Sequence, residues 1–280
     1  MKKLIYPSIF LMGVLLFALS SCDFQNDKYD SMMKYFEAQQ QHNFGKMDSA
    51  IILYTEALAL DSTNSMIHYD RGRAYYDLDQ LDMALADYGL AIKLDSLNAD
   101  FYHARAVIYR LQELWDEALL DVRQAIVLKP DQPFLYELLG DIHLAQGDMM
   151  GAILDYEHFL ELSPNNPDFN AKLSDVYYKI DNTEKALAYI DNAILLNDKK
   201  SEYYYSKAMV LSKMDKDKEA VVACNLAMEL DPTKRDYYYL RGVLQLNIGE
   251  EQGACDDLKK AADAGDEDAL RLLEKYCPVM

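Results

Sequence analysis

The sequence is poor in glycine, proline and basic residues. It contains 11 Gly and 7 Pro among 280 residues, which makes a turn-rich β-sandwich a poor candidate and favours helix. It has 28 Lys and Arg against 47 Asp and Glu, a net charge of −19. A chain this acidic is not held on a phosphate backbone, so nucleic acid is excluded as a partner. Hydrophobic residues still make up 51%, which is enough to build a folded core.

Motifs that carry catalysis or bind metals are also missing. The sequence has no HExxH, CxxC, GxxxxGK[ST] or GxSxG. Asp77, Asp79 and Asp82 suggest a calcium loop, but such a loop needs Gly at its sixth position and Glu at its twelfth, where this chain has Asp82 and Tyr88. We therefore predict no catalytic residue, no metal site and no cofactor, and the acidic group is interpreted as a solvated turn.

The N-terminus has the layout of a secretory signal. Lys2 and Lys3 precede a stretch, residues 4–19, without any charge. The alternative, an uncleaved membrane helix, is disfavoured because residues 4–21 number only 18 and include Pro7 and Gly13. Leu19-Ser20-Ser21-Cys22 resembles a bacterial lipobox. The resemblance implies that residues 1–21 are a signal peptide and that Cys22 carries a lipid, with palmitate among its acyl chains.

The mature chain is predicted to be held in the cell envelope by this lipid. Cleavage removes two of the 28 basic residues and no acid, so the net charge becomes 26 − 47 = −21, and no basic segment remains to bind anionic lipid. Residues 22–30 form a short tether that reaches about 26 Å when fully extended. The outer membrane is the favoured location. Its periplasmic or surface face stays open, because Asp23 resembles an inner-membrane retention signal of enteric bacteria, whereas Asp23 and Asp27 resemble a surface-export signal.

A single repeat period organises the rest of the chain. Seven alanines recur at a constant 34-residue interval, which marks a true repeat: Ala50, Ala84, Ala118, Ala152, Ala186, Ala220 and Ala254. Two further columns in the same register hold small residues except at Phe159. One column is Ala57, Ala91, Ala125, Phe159, Ala193, Ala227 and Ala261; the other is Ala38, Gly72, Ala106, Gly140, Ser174, Ala208 and Gly242.

The columns predict pairs of closely packed helices. Small side chains at helix crossings let two backbones approach to the short end of the usual packing distance of about 8–10 Å. Bulky residues four places after the repeated alanine lie on the same helix face and fill the gaps: Tyr54, Tyr88, Val122, Tyr156, Ile190, Cys224 and Leu258. Two tyrosine triplets, residues 203–205 and 237–239, also follow the repeat. We predict that Tyr204 and Tyr238 occupy a packing position.

This pattern is similar to the tetratricopeptide repeat (TPR). The residues that carry the resemblance are Gly72, Tyr75, Ala84, Tyr88 and Ala91 in the second unit, and Gly140, Gly147, Ala152, Tyr156 and Pro164 in the fourth. The resemblance implies an all-α, right-handed superhelical solenoid of about seven helix-turn-helix repeats over residues 31–266. Residues 267–280 are then a capping helix and tail, with Leu270, Leu273 and Tyr276 predicted on its packing face.

The same resemblance implies a protein partner. TPR grooves hold an extended peptide or a partner helix. The family's groove positions, carried onto both halves of this chain, include Tyr69, Arg73, Tyr76, His103 and Arg110. We predict that these five form the binding patch, because two arginines and several rings gather on one face; the alternative is that they are ordinary solvated groove residues. The Lys and Asn clamp of chaperone-binding TPRs is absent from the corresponding columns, so that activity is not transferred. The prediction is a non-enzymatic, membrane-anchored interaction scaffold of the bacterial envelope. The alternative is a structural spacer, or a regulatory subunit of an envelope enzyme or assembly complex.

Three cysteines remain beyond Cys22. Cys255 lies 11 residues before Asp266 and Cys277 lies 11 after it, so antiparallel helices that turn at Asp266 would place both sulfurs at a similar height. A disulfide between Cys255 and Cys277 would fix the cap to the last repeat. Two unbridged thiols are the alternative, because the geometry of a disulfide is demanding. Cys224 belongs to the bulky column and is interpreted as a small buried hydrophobe.

Overall fold

The protein is described from a computed structural model that covers the backbone of residues 8–277 and the side chains of residues 26–277. Within that range the regular structure is helical, without a β-strand, which confirms the predicted all-α repeat fold. The 15 helices of this range are α1 (Ser8–Asn43), α2 (Met47–Leu60), α3 (Ser65–Asp77), α4 (Leu81–Leu94), α5 (Ala99–Leu111), α6 (Trp115–Leu128), α7 (Pro133–Ala145), α8 (Met149–Leu162), α9 (Pro167–Lys179), α10 (Thr183–Leu196), α11 (Ser201–Lys213), α12 (Asp217–Leu230), α13 (Arg235–Ile248), α14 (Glu251–Asp263) and α15 (Glu267–Tyr276).

The helices form two compact units that divide after Pro130. In the first unit α1 packs on α2, α3 on α4 and α5 on α6. In the second unit the hairpins are α7–α8, α9–α10, α11–α12 and α13–α14, and α15 packs on α14. Inside each unit, the second helix of one hairpin also packs on the first helix of the next. The hairpins therefore match the predicted repeats.

A left-handed residue closes the turn inside every hairpin. Positive φ angles of 58° to 84° occur once in each repeat, always at the same register position: Gly45, Asp79, Glu113, Gly147, Asp181, Asp215 and Gly249. The next residue donates its N–H to a carbonyl five residues back, as Gln80 does to Tyr75 at 2.9 Å and Asp148 to His143 at 2.8 Å. This bond satisfies a carbonyl at the end of the first helix. Asp79, a member of the acidic group at 77–82, thus serves as a turn residue.

The repeated columns form the core of both units. All seven alanines of the first column have 0% exposure, and the seven bulky residues of the Tyr54 column are at most 2% exposed. At Gly140 the approach is so close that an added Cβ would lie 2.5 Å from Cε1 of Tyr156. The small column therefore makes room for the bulky one, as the sequence predicts.

Three ion pairs are buried in the same register. Arg71 pairs with Asp87, Arg105 with Asp121 and Arg241 with Asp257, and each aspartate side chain is 3% exposed. Each arginine donates two hydrogen bonds, at 2.6 to 2.8 Å. Burial raises the pKa of Asp87, but hydrogen bonds from Arg71 and His68 outweigh burial and hold that pKa below its ordinary value. Asp87 therefore remains a charged partner of Arg71.

The predicted packing position of Tyr204 and Tyr238 is confirmed in part, because both rings pack against the core without being fully buried. Tyr203 and Tyr237 are each 3% exposed, whereas Tyr204 and Tyr238 are only partly buried. The hydroxyl of Tyr238 donates to the carbonyl of Pro232 at 3.1 Å, in the turn before its helix. The middle tyrosine of each triplet thus lies at the edge of a helix, and the first fills the core.

The C-terminal helix packs through a different face from the predicted one. In α15 Ala269 is fully buried, while Leu270 and Tyr276 are 48% and 47% exposed. Leu272 and Leu273 pack with Ala269 against Leu258 and Ala261. The small Ala269 sets the contact because it lets α15 approach α14 closely. Leu273 is thus the one correctly placed member of the predicted set.

The sulfurs of Cys255 and Cys277 are bonded in the structure, and their Cα atoms are 5.8 Å apart. The bond connects α14 to the residue that follows α15. Cys224 is a free, buried cysteine in α12. Burial raises the pKa of its thiol to about 12, so Cys224 stays protonated and packs as a small apolar side chain.

The N-terminal segment differs from the sequence interpretation at its junction with the repeats. Residues 26–30, assigned to a tether, are helical and continue into the first repeat as part of α1. No glycine or proline interrupts the chain between Cys22 and Gly45, so nothing ends the helix earlier. The predicted signal peptide, residues 1–21, and the lipidation site Cys22 lie outside the residues whose side chains are described.

Candidate functional site

The first helices of the first unit carry the predicted binding residues. Tyr69, Arg73 and Tyr76 lie on α3, at intervals of four and three residues, and therefore share one face of the helix. His103 and Arg110 lie on α5, seven residues apart, and share a face in the same way. The two helices belong to consecutive hairpins.

Four of the five predicted residues meet in one pocket. Tyr69, Arg73, Tyr76 and His103 line a cavity of about 280 Å³. The remaining lining residues are Asp77, Tyr88, Ala104 and Val107. The ring of Tyr69 contacts that of Phe101 with centroids 5.0 Å apart and that of Tyr88 with centroids 5.7 Å apart. The wall of the pocket is therefore rigid and aromatic, and it has a cation at one side.

Arg110 does not line this pocket. It lies two helical turns beyond His103 on α5, about 10 Å further along the axis. Its Nε atom is buried, and within the described part of the chain it has no hydrogen-bond partner. The helix face is as predicted, but the arginine is too far along α5 to reach the cavity.

A second pocket adjoins the first and shares Arg73. It measures about 190 Å³ and is lined by Gln39, His42, Asn43, Tyr54, Asp70 and Arg73. The sequence-based prediction missed His42, although this residue lies one repeat before Tyr76 and two repeats before Arg110. The repeat period alone would have placed His42 on the same face.

A buried carboxylate holds Arg73 between the two pockets. Asp70, 5% exposed, accepts hydrogen bonds from the hydroxyl of Tyr35 at 2.7 Å and from Nε2 of Gln39 at 3.0 Å. One guanidinium nitrogen of Arg73 lies 3.4 Å from Oδ1 of Asp70, and 53% of the arginine side chain is exposed. The guanidinium carbon also lies 5.9 Å from the centre of the Tyr69 ring. Arg73 is thus oriented from behind and still open to a ligand.

The charges of the pocket follow from burial. Burial lowers the pKa of Arg73, but Asp70, Tyr69, Tyr88 and Asp77 together outweigh burial, and the pKa lies above its ordinary value. Burial lowers the pKa of His103, an effect that Asp100 only partly opposes. Burial also raises the pKa of Tyr69. The pocket therefore presents the cation of Arg73 and the acidic side chain of Asp77, together with a neutral imidazole at His103 and a neutral phenol at Tyr69 at neutral pH.

The corresponding face of the second unit has its charges paired internally. Lys172 lies 3.1 Å from Glu137 and 3.3 Å from Asp141, and Asp141 also accepts a 2.6 Å hydrogen bond from the hydroxyl of Tyr156.

Among the side chains of residues 26–277, no group of three His, Cys, Asp or Glu is arranged to hold a metal ion. None of the helices in the described range has both the length and the apolar content needed to cross a bilayer.

Comparisons with known proteins agree with the repeat geometry. Three sequence profiles match: a TPR repeat over residues 72–113 and tetratricopeptide repeats over residues 143–210 and 201–234. A comparison with curated protein sequences gave no match.

Solved structures share the fold at low sequence identity. A TPR protein from Parabacteroides merdae is 18% identical, with a TM-score of 0.63 over 88% of this chain and 98% of its own. The C-terminal part of a TPR protein from Cytophaga hutchinsonii is 15% identical, with a TM-score of 0.75 over 85% and 98%. The Pseudomonas aeruginosa protein pilF is 18% identical, with a TM-score of 0.62 over 76% and 96%.

Proposed function

The chain belongs to the tetratricopeptide repeat family, a family of protein-interaction scaffolds, and we propose that it acts as a non-enzymatic scaffold anchored in the bacterial cell envelope. Its partner is a peptide or protein held by the first helices of the first unit. The observation that carries this proposal is the convergence of Tyr69, Arg73, Tyr76 and His103 in one pocket.

The pocket has the composition of a protein-binding hot spot. Tyrosine and arginine dominate the energetics of many interfaces. Tyrosine gains a large contact area at a low cost in entropy, and arginine supplies several directed hydrogen bonds. Arg73 supplies a directed charge for a carboxylate of the partner, and the rings of Tyr69 and Tyr88 support an apolar side chain beside it. The adjoining pocket around His42 extends the surface along the same helices.

The anchoring part of the proposal is carried by the sequence of residues 1–22. The cationic start, the uncharged stretch and the lipobox-like residues before Cys22 together favour export and lipidation. The outer membrane is the proposed location, without a choice between its periplasmic and surface faces. The protein would then present its binding pocket close to the membrane.

Substitution of Arg73 tests the binding site. We expect Arg73→Glu to weaken partner binding by about 2 kcal/mol, roughly 30-fold, because it reverses the one exposed charge that the pocket orients. The measurement is quantitative recovery of partners from envelope extracts by the purified variant and by the wild type. Arg123→Glu, at an exposed position of α6, makes the same charge change away from the pocket and should recover the wild-type set. Identical recovery by all three proteins would contradict the assignment and favour a structural spacer.

Labelling with a palmitate analogue tests the anchor. The wild type should incorporate the label in cells, and Cys22→Ser should not, because the thiol is the predicted attachment point. Equal incorporation by both proteins would refute lipidation at Cys22. Since the substitution lies outside the repeats, circular dichroism of the two proteins should be the same.

A further inference from the structure

An apolar face of α1 is left uncovered at the N-terminal end of the repeats. Tyr29, Met32, Met33 and Phe36 are 64%, 43%, 45% and 53% exposed. Their spacing of three and four residues places them on one side of the helix. The neighbouring positions on this side, Asn26, Gln40 and Asn43, are polar but uncharged. We call these four apolar side chains the α1 face.

The repeat register shows that Met33, at the centre of the α1 face, is a core position without its cover. Met33 is the first member of a column whose six later members, one in each following repeat, are at most 4% exposed: Ile67, Phe101, Leu135, Phe169, Tyr203 and Tyr237. Those later members pack on the preceding second helix, as Ile67 does on Ala57 and Leu58, and Phe169 on Phe159. At the other end of the chain α15 covers the last hairpin.

The chain itself indicates what covers the α1 face. Cys22 precedes Tyr29 by seven residues, a distance that no conformation can stretch beyond about 23 Å. Seven residues also correspond to two helical turns, so a helix through both positions would carry Cys22 and Tyr29 on one side. A lipid on Cys22 would therefore bring the α1 face to the bilayer surface.

We propose that the α1 face lies on the surface of the bilayer and replaces an N-terminal capping helix. This inference rests on the proposed lipid anchor. Interfacial helices bury such apolar side chains by about 5–10 Å in the headgroup region. A second copy of the chain fits the face less well. Asp30 and Glu37 border it on one side and Lys28 on the other, and two chains that each carry a net charge of −21 repel one another.

Depth-dependent quenching tests the proposal. The full-length protein, with Trp115→Phe removing its only tryptophan, carries one new tryptophan through Phe36→Trp. It is incorporated into phosphatidylcholine vesicles whose acyl chains are brominated near the headgroup. We expect emission to fall on the order of twofold relative to unbrominated vesicles, because the ring enters the headgroup region. Leu120→Trp, at an exposed position of α6, is the matched control and should not be quenched.

Iodide in the aqueous phase separates the other outcomes. If tryptophan 36 escapes bromine and is quenched by iodide, the face is in water and the proposal is overturned. If it escapes both quenchers, and mass increases with protein concentration, a second copy covers the face and the proposal is again overturned. If bromine quenching persists in Cys22→Ser, the α1 face contacts the membrane even where palmitate labelling shows no lipid anchor. If Cys22 is labelled with palmitate but tryptophan 36 is not quenched by bromine, the anchor is supported and the membrane contact of the α1 face is contradicted.

Discussion

Replacing Arg105 by leucine is expected to lower the free energy of unfolding by about 3–5 kcal/mol. Arg105 donates two hydrogen bonds, of 2.6 and 2.8 Å, to the carboxylate of Asp121. Asp121 is almost fully buried. Without the arginine, Asp121 must either remain charged in an apolar surrounding or take up a proton to fold. Both alternatives cost free energy that the intact pair does not.

The double variant separates the cost of an orphaned charge from the value of the pair. Arg105→Leu/Asp121→Leu should recover most of the loss and unfold within about 1 kcal/mol of the wild type, because an apolar pair of similar volume often replaces a buried ion pair without penalty. The fifth hairpin already has Leu173 at the position of Arg105. Chemical denaturation of both variants, and of the exposed control Arg123→Leu, measures these differences. Stability equal to the wild type in Arg105→Leu alone would contradict the expectation.

These ion pairs show where the hydrophobic pattern of a sequence fails to predict which residues are buried. Sequence reasoning treats an arginine or aspartate as solvated, because isolated charges are rarely buried. The helix packing buries the aspartates and covers most of each arginine, which the composition does not reveal. The repeat contains the signal, since Arg71, Arg105 and Arg241 share one register in the first helix of a hairpin, and their aspartates share another in the second helix of the same hairpin.

The most buried ring of each tyrosine triplet was not predicted, for a different reason. Three consecutive tyrosines on a helix cover almost its whole circumference, so their own spacing does not tell which ring points inward. The other hairpins settle it, because Ile67, Phe101 and Leu135 occupy the register of Tyr203. The position one residue later holds His68, Tyr102 and Tyr136, whose polar atoms suit a helix edge.

The pocket was predictable in its face and less so in its extent. The repeat placed Tyr69, Arg73, Tyr76 and His103 on one side of consecutive helices, where the structure brings them together. The distance along each helix decides which residues of that face reach the pocket, and it excludes Arg110. Asp70, the carboxylate that orients Arg73, comes from the core side of α3 and is buried. Sequence periodicity assigns residues to faces, whereas the reach of a side chain decides which of them meet.

Replacing Ala152 by leucine is expected to destabilise the second unit by about 1–3 kcal/mol. Ala152 has 0% exposure and packs in a cluster with Tyr156, Phe169 and Leu173. Three added carbon atoms have no space there, because the Tyr156 ring already packs tightly: a Cβ added at Gly140 would lie only 2.5 Å from it. Tyr156 would have to move, and its 2.6 Å hydrogen bond to Asp141 would be strained or lost. The measurement is chemical denaturation followed by circular dichroism.

Ala188→Leu is the matched control. This alanine is exposed on α10, in the register where Leu154 is naturally 63% exposed. The effect of Ala188→Leu on the free energy of unfolding should stay within about 0.5 kcal/mol. Equal stability of the two variants would mean that the small column does not set the packing distance between helices.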